Sequence, residues 1–150
     1  MTTTIAAPQT AAHAVLTDSR GLVLLVHPAY KSRWHLPGGY VREGELPSAG
    51  VAREVHEELS VSPAFPPSPA LVAWAPNAGD RLLLYYSAKL SAQQVREVRT
   101  DGHEIIGYQW CSPDALNEWL HPALADRTRL TLEATRRRQT LFTEPRRATL

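Results

Sequence analysis

Hydrophobic and polar positions along this chain form short apolar runs separated by turn-forming residues, with one clear helical period between them. Residues 12–17 are apolar, Asp18-Ser19-Arg20-Gly21 is a turn signal, and residues 22–27 are aliphatic again, which predicts a β-hairpin. Trp34-His35-Leu36 is a brief extended piece that stops at Pro37-Gly38-Gly39. Between residues 48 and 59, Ala52, Val55 and Leu59 recur at spacings of three and four with Val51 beside them, so the segment predicts a helix with one apolar stripe. Pro47 suits its first turn, where a missing N–H costs little. The four prolines between Ser60 and Pro69 forbid its continuation. Residues 70–75 and 81–90 read as strands joined through Pro76-Asn77-Ala78-Gly79-Asp80, and residues 104–110 as a further strand. A short helix is expected over 113–120 with Ser112 as N-cap, and a final one over 123–139 with Leu124, Leu130 and Leu132 on its apolar face. Strands alternating with helices, one pair of them a hairpin, predict an α/β chain with a mixed sheet and helices packed on it. No repeat or second domain is visible, so residues 1–150 read as one domain, with 1–10 and 140–150 as flexible tails.

Composition narrows the function classes. The 150 residues carry 16 Lys+Arg against 15 Asp+Glu, and 43% are hydrophobic, which excludes wholesale disorder and collagen-like or coiled-coil chains. Near-neutral charge argues against a protein that holds nucleic acid or an anionic membrane by bulk charge. The charges are nevertheless segregated. Residues 39–61 hold five Glu against Arg42 and Arg53, while residues 127–147 hold seven Arg against Glu133 and Glu144. Cys111 is the single cysteine, so neither an intrachain disulfide nor a cysteine-based zinc cluster can form. No apolar run approaches the roughly 20 residues that span a bilayer, and the polar start lacks the pattern of a secretory signal. The expectation is a cytoplasmic protein.

The informative segment runs from Gly39 to Val61. On a helix, Glu54, Glu57 and Glu58 share a face, roughly opposite Val55 and Leu59. Three carboxylates on one turn repel one another. Arg53 relieves part of that, and a divalent cation would relieve far more; hard Mg²⁺ or Mn²⁺ prefers such oxygen ligands. Taken alone, these three residues read more readily as a solvated Glu-rich helix face than as a metal site.

The wider spacing changes the odds. Gly39 is followed after five residues by Glu45, and after seven more by Arg53-Glu54; then come aliphatic Val55, the pair Glu57-Glu58 and aliphatic Val61. This resembles the Nudix box, G-x5-E-x7-R-E-U-x-E-E-x-G-U with U aliphatic, and Trp34-x-Leu36-Pro37-Gly38-Gly39 resembles the usual approach to it. The box covers 23 residues, and the order of strands and helices resembles the Nudix fold, an α/β/α sandwich with a mixed β-sheet, over most of the chain. One position departs: Ser60 stands where the box has Gly. A left-handed helix terminus costs a non-glycine residue around 1 kcal/mol, so altered local geometry is expected there, without loss of a ligand.

The resemblance implies a Mg²⁺-dependent hydrolase, with Mn²⁺ as the alternative ion, that cleaves a diphosphate linkage in a nucleoside di- or triphosphate or nucleotide derivative. Carried over by position, Glu54, Glu57 and Glu58 would be metal ligands, joined by the carbonyl of Gly38. Arg53 would orient the carboxylates, and Gly39 and Glu45 would support the loop–helix junction. Bound metal polarises phosphoryl oxygens and lowers the pKa of water, and a carboxylate takes the proton. Glu54 and Glu104 are the two candidate bases. Glu104 also reads as a plain charge beside the Gly102 turn. Substrate contacts are less defined: Arg33, Lys31 and Arg81 are candidates for phosphates, and Trp74, Tyr85, Tyr86 and Tyr108 for stacking a base. The expected partner is a nucleotide-type small molecule rather than nucleic acid or membrane, bound by a monomer or homodimer. A binding or regulatory module on the same fold, without turnover, is the competing reading.

Overall fold

The computed structural model describes residues 3–76 and 79–145. Along them run β1 (Gln9–Thr17), β2 (Val23–Pro28), β3 (Gly38–Tyr40), α1 (Pro47–Leu59), β4 (Leu71–Ala75), β5 (Arg81–Lys89) and α2 (Ala92–Glu97). Then follow β6 (Ile105–Cys111), a 3₁₀ turn at Pro113–Ala115, α3 (Leu116–Trp119), α4 (Pro122–Arg136) and β7 (Leu141–Thr143). The strands make one mixed sheet in the order β6-β2-β1-β5-β4-β7, with β3 paired to β1. One face packs Leu16, Leu24, Leu84 and Tyr86 against Val51, Val55 and Leu59 of α1. The other packs Val15, Leu25, Leu71 and Tyr85 against Leu116 of α3 and Leu124 and Ala125 of α4. The architecture is the expected α/β/α sandwich.

The way β1 and β2 part makes room for a site. Their turn is tight: Asp18 accepts from the Arg20 and Leu22 N–H groups, and Gly21 takes φ +79°. The two strands are in register at Thr17↔Val23 and then diverge. Residues 35–40 fill the gap, with His35 bridged to Val26, the Ala14 N–H donating to the Pro37 carbonyl, and β3 pairing with Ala11–His13. The extended piece therefore does not stop at Pro37-Gly38-Gly39. Gly38 carries it onward because, at φ +144°, an added Cβ would lie 2.3 Å from the Ala12 carbonyl oxygen. On the far side of β1, β5 runs parallel from Gln9↔Arg81 to Thr17↔Lys89, which brings the ends of both strands to one rim of the sheet.

Three features differ from the sequence expectation. Helix α2 was not foreseen, although Ser91 and Gln94 form a reciprocal capping box that S-x-x-Q announces. Strand β7, within the expected C-terminal tail, pairs in parallel with β4, just as Gln9 and Thr10 of the expected N-terminal tail belong to β1. In α4 the buried face is Leu124, Ala125, Thr128, Thr131 and Ala134, whereas Leu130 is exposed. Thr128 and Thr131 can be buried because their hydroxyls donate to the carbonyls of Leu124 and Arg127 one turn earlier. Asn77 and Ala78 of the expected Pro76–Asp80 connection, and residues 146–150 with Arg146 and Arg147 of the basic segment, lie outside the described residues. Among the described residues no helix is long and apolar enough to cross a membrane.

Candidate active site

Helix α1 starts at Pro47 without a side-chain cap and packs its Val51–Val55–Leu59 stripe into the core. That fixes its rotation and decides where the acids go. They are not equivalent: the Glu58 side chain is 6% exposed, Glu54 16% and Glu57 44%. The expected common face opposite Val55 and Leu59 is thus a gradient from core edge to solvent, with Glu58 at the buried margin.

Arg53 ties the acids together. Its Nη1 donates to Glu54 Oε1 (3.0 Å) and Glu57 Oε2 (3.2 Å), while Nε donates to Glu45 Oε2 (2.8 Å). Glu45 also accepts from the Arg42 N–H, and Arg53 Nη2 reaches the Tyr40 carbonyl. One guanidinium therefore spans the loop, β3 and the helix, as a planar five-donor fork can. Hydrogen bonds from the Arg53 guanidinium, and then from the Arg42 N–H, hold the Glu45 carboxyl down at about 2 against some desolvation. Gly50 gives Glu45 its place, since an added Cβ would come within 2.9 Å of Oε1.

At the buried margin the electrostatics reverse. Burial pushes the Glu58 carboxyl up to about 8, helped by the charges of Glu54, Glu104 and Asp101 and opposed by the Gly38 N–H, which donates to Oε2 at 3.3 Å. Glu54 is also raised, chiefly by burial, with Arg53 pulling the other way and the charges of Glu57 and Glu104 adding to the rise. Gly39 makes this approach feasible: an added Cβ would sit 2.5 Å from Glu54 Oε1. Two desolvated carboxylates thus lie against the glycine backbone of β3.

A cleft opens from Glu58, Gly38 and Gly39 past His13, Lys31, His35 and Arg81. It continues past these last four residues to Arg33, Trp34, Tyr85, His121 and Arg127. His13 is held well below its usual 6.5, first by burial and then by the charges of His35, Lys31, Arg127 and Arg81. His35 is lowered by burial too, although its Nδ1–H donates to the Leu36 carbonyl at 2.9 Å.

Of the residues singled out from sequence, Arg53, Glu54, Glu57, Glu58, Gly38, Gly39 and Glu45 come together along the second half of α1. Glu104 directly precedes β6, is exposed, and is near enough for its charge to act on Glu54 and Glu58. Arg33 lines the far part of the cleft. Tyr86 does not join them: it is 2% exposed in the α1-side core, edge-on to Phe65. Trp74 lines neither part of the cleft; along β4 it follows Val72, which packs on the α1-side core, while the alternate residues Leu71, Ala73 and Ala75 face α4. Period-two alternation removes both aromatics from the α4-side face that carries the far part of the cleft. His13, His35, Asp101 and Arg127 were missed. None carries a local signal, because each acquires its neighbours only through strand pairing and helix packing.

Ser60 adopts the left-handed conformation after all (φ 62°, ψ 23°), and its N–H donates to the His56 carbonyl. The helix terminus keeps its geometry, and the strain stays on the serine.

The profile of the NUDIX domain matches residues 7–133. The chain belongs to the Nudix family. Its fold is shared by the MutT protein of Methanosarcina mazei Go1, at TM-score 0.70 and 22% identity over 91% of this chain and 99% of that one. A MutT Nudix hydrolase from Burkholderia pseudomallei superposes at TM-score 0.65 with 24% identity, covering 85% and 98% of the two chains. The Nudix domain of Shewanella oneidensis NrtR, solved with ADP ribose, matches at TM-score 0.64 with 21% identity over 89% and 90%. Nudix hydrolases act on phosphorus anhydrides and generally use divalent metal ions.

The donor set of this Nudix chain suits such an ion. Glu54 and Glu58 offer hard oxygens whose ionisation burial now penalises, beside a backbone cradle that a Cβ at Gly39 would fill. Among the described residues no three acidic, histidine or cysteine side chains already close around one point. Arg53 and the Gly38 N–H presently take the carboxylate lone pairs that an ion would share.

Proposed function

We propose that this chain is a divalent-metal-dependent hydrolase that cleaves a diphosphate linkage in a nucleoside di- or triphosphate or nucleotide derivative. The observation that carries this reading is the buried Glu58 carboxylate at the mouth of a cleft lined by Lys31, Arg81 and histidines, with the half-buried Glu54 beside it against Gly39; burial disfavours the ionised form of both. Glu54, Glu57 and Glu58 would hold Mg²⁺ or Mn²⁺, with the Gly38 carbonyl as a further ligand. When bound, the ion would neutralise phosphoryl oxygens and activate water. The chain's own residues do the rest. Arg53 orients Glu54 and Glu57, Glu45 anchors Arg53, and Lys31 and Arg81 receive the anionic substrate. Glu54 or the exposed Glu104, both close enough for their charges to act on Glu58, accepts the proton of the attacking water.

Likeness to a Nudix domain solved with ADP ribose favours a second reading, a nucleotide-binding module without turnover. Assaying wild type and Glu58→Gln on a panel of nucleotides with Mg²⁺ and with Mn²⁺ decides between them. The hydrolase reading requires wild-type turnover that falls by about 100-fold or more in the variant. Equal inertness, with nucleotide binding intact, establishes the module instead.

A further inference from the structure

The cleft is not chemically uniform. Beyond Glu58, its far part gathers Lys31, Arg33, Arg81 and Arg127 with His13, His35 and His121, and no acidic side chain lines it. Among the described residues none of these four cations is within 4.0 Å of a carboxylate, although Arg20, Arg42, Arg53, Arg129, Arg136 and Arg137 all are. Two fully enclosed nitrogens here lack a hydrogen-bond partner, His13 Nδ1 and Arg81 Nε. Leaving such groups unpaired costs roughly 1–3 kcal/mol each, and more for a charged one. The 15-residue helix α4 also begins at this wall, with Ala123 and Leu124 of its first turn in the lining, and its dipole favours negative charge there.

The same wall is poorly suited to stacking a base. One face of Trp34 is taken by His27 (4.9 Å between centroids), and Trp119 meets it edge-on at 5.2 Å. Tyr85 is 1% exposed, with the His13 ring 5.4 Å away. The aromatic surfaces are spent, whereas the cations have only neutral neighbours, Lys31 over the Tyr30 ring at 5.6 Å and Arg127 at the Tyr85 hydroxyl, and no counter-charge among the described residues.

We infer that the far part of the cleft is a subsite for a phosphate group separate from the diphosphate being cut, held by Arg81 and Arg127. This rests on the hydrolase reading for its place in turnover, and it narrows the substrate class to nucleotides that carry an additional phosphate. That phosphate can come from two sources, the end of a triphosphate chain or a phosphorylated ribose. The cations do not distinguish them, because both present the same dianionic oxygens.

Two measurements test this independently of each other. In metal-free buffer with chelator, inorganic phosphate is titrated calorimetrically into wild type, Arg81→Met, Arg127→Met and Glu58→Gln. Wild type should bind it, each arginine variant at least tenfold more weakly, and Glu58→Gln no more weakly than wild type. Absence of binding by wild type, or equal binding by folded arginine variants, overturns the subsite. Should both arginine variants unfold, the ring ¹⁵N resonances of His13 in wild type decide: they shift with phosphate if the subsite exists and stay fixed if it does not. The second measurement compares kcat/KM within matched pairs: a nucleoside triphosphate against its diphosphate, NADPH against NADH, and coenzyme A against dephospho-coenzyme A. At least one pair should favour the additional phosphate tenfold or more, falling below twofold in Arg127→Met, and the pair that does so names the source. Turnover of all pairs without preference overturns the subsite while the hydrolase reading stands. Phosphate binding as expected with no turnover of any pair overturns the hydrolase reading alone.

Discussion

At one end of the cleft, Arg53, Glu54, Glu57 and Glu58 come from six consecutive residues of a single helix; at the other, His13, Lys31, Arg81 and Arg127 come from β1, the loop after β2, β5 and α4. The first end compensates part of its own charge, because one guanidinium serves three carboxylates. The second leaves its cations without acidic partners among the described residues. A group of charges encoded in one helix turn persists through folding and requires an internal counter-charge. Charges that meet only in the folded state repel one another there, and persist because the sheet and α4 are held together by large buried apolar faces.

The carboxylate end should break hardest where geometry is tightest. Gly39→Ala places a methyl group against Glu54 Oε1, a flexible side-chain end that can give way, so melting temperature should barely move while the carboxylate is displaced. A displacement of this kind costs roughly 100-fold in activity. A combined thermal melt and steady-state assay checks the split; equal loss of both would make Gly39 merely structural.

Arg53→Lys should follow, with a loss of about 10- to 100-fold. An ammonium cannot reach Glu45, Glu54 and Glu57 at once, so the conservative change should not rescue activity. Full activity in this variant would mean that the fan of hydrogen bonds is incidental.

The two ends should also answer pH in opposite senses. His13 is held below 6.5 in the fold, so the unfolded chain takes up a proton there that the folded chain refuses. Its contribution to stability is present above pH 6.5 and lost below it, by up to about 1.4 kcal/mol per pH unit. Glu58 holds a proton up to about pH 8, whereas the unfolded carboxyl releases it near 4.5. Without metal, its ionisation therefore drains stability as pH rises from about 4.5 to 8. Denaturant melts of the metal-free protein between pH 5 and 9 should show a decline from pH 6.5 to 8 that Glu58→Gln removes and saturating Mg²⁺ suppresses. A decline unchanged by either would place the responsible group elsewhere.

The smallest effect belongs to the terminus of α1. Ser60→Gly relieves a left-handed serine and should add about 1 kcal/mol, raising the melting temperature by about 2–4 °C without changing kcat/KM.

Legibility divides along the same line. The spacing of Gly39, Glu45, Arg53, Glu54, Glu57 and Glu58 announces the carboxylate end, because residues three and four apart on a helix are neighbours whatever the rest of the chain does. Helix α1, the hairpin turn at Asp18 and Gly21, and most strands were readable for similar local reasons. Strand β3 and β7 were not, since three-residue strands exist only through the partners they pair with. The face of α4 was misread because its threonines hide by satisfying their own hydroxyls. Tyr86 and Trp74 looked like stacking surfaces until the sheet assigned their faces.

By itself, then, the amino-acid sequence determined the α/β class with a mixed sheet and the acids of one helix, through short-range periodicity, and through fixed spacing the resemblance to a family that implied the α/β/α sandwich. Only the tertiary structure decided that Glu58 is the buried acid, that Glu45 anchors Arg53, and that four cations from three separate segments share a cleft in which His13 Nδ1 and Arg81 Nε are buried and unpaired. Burial and long-range proximity set those properties, and both arise from strand register and helix packing rather than from position along the chain.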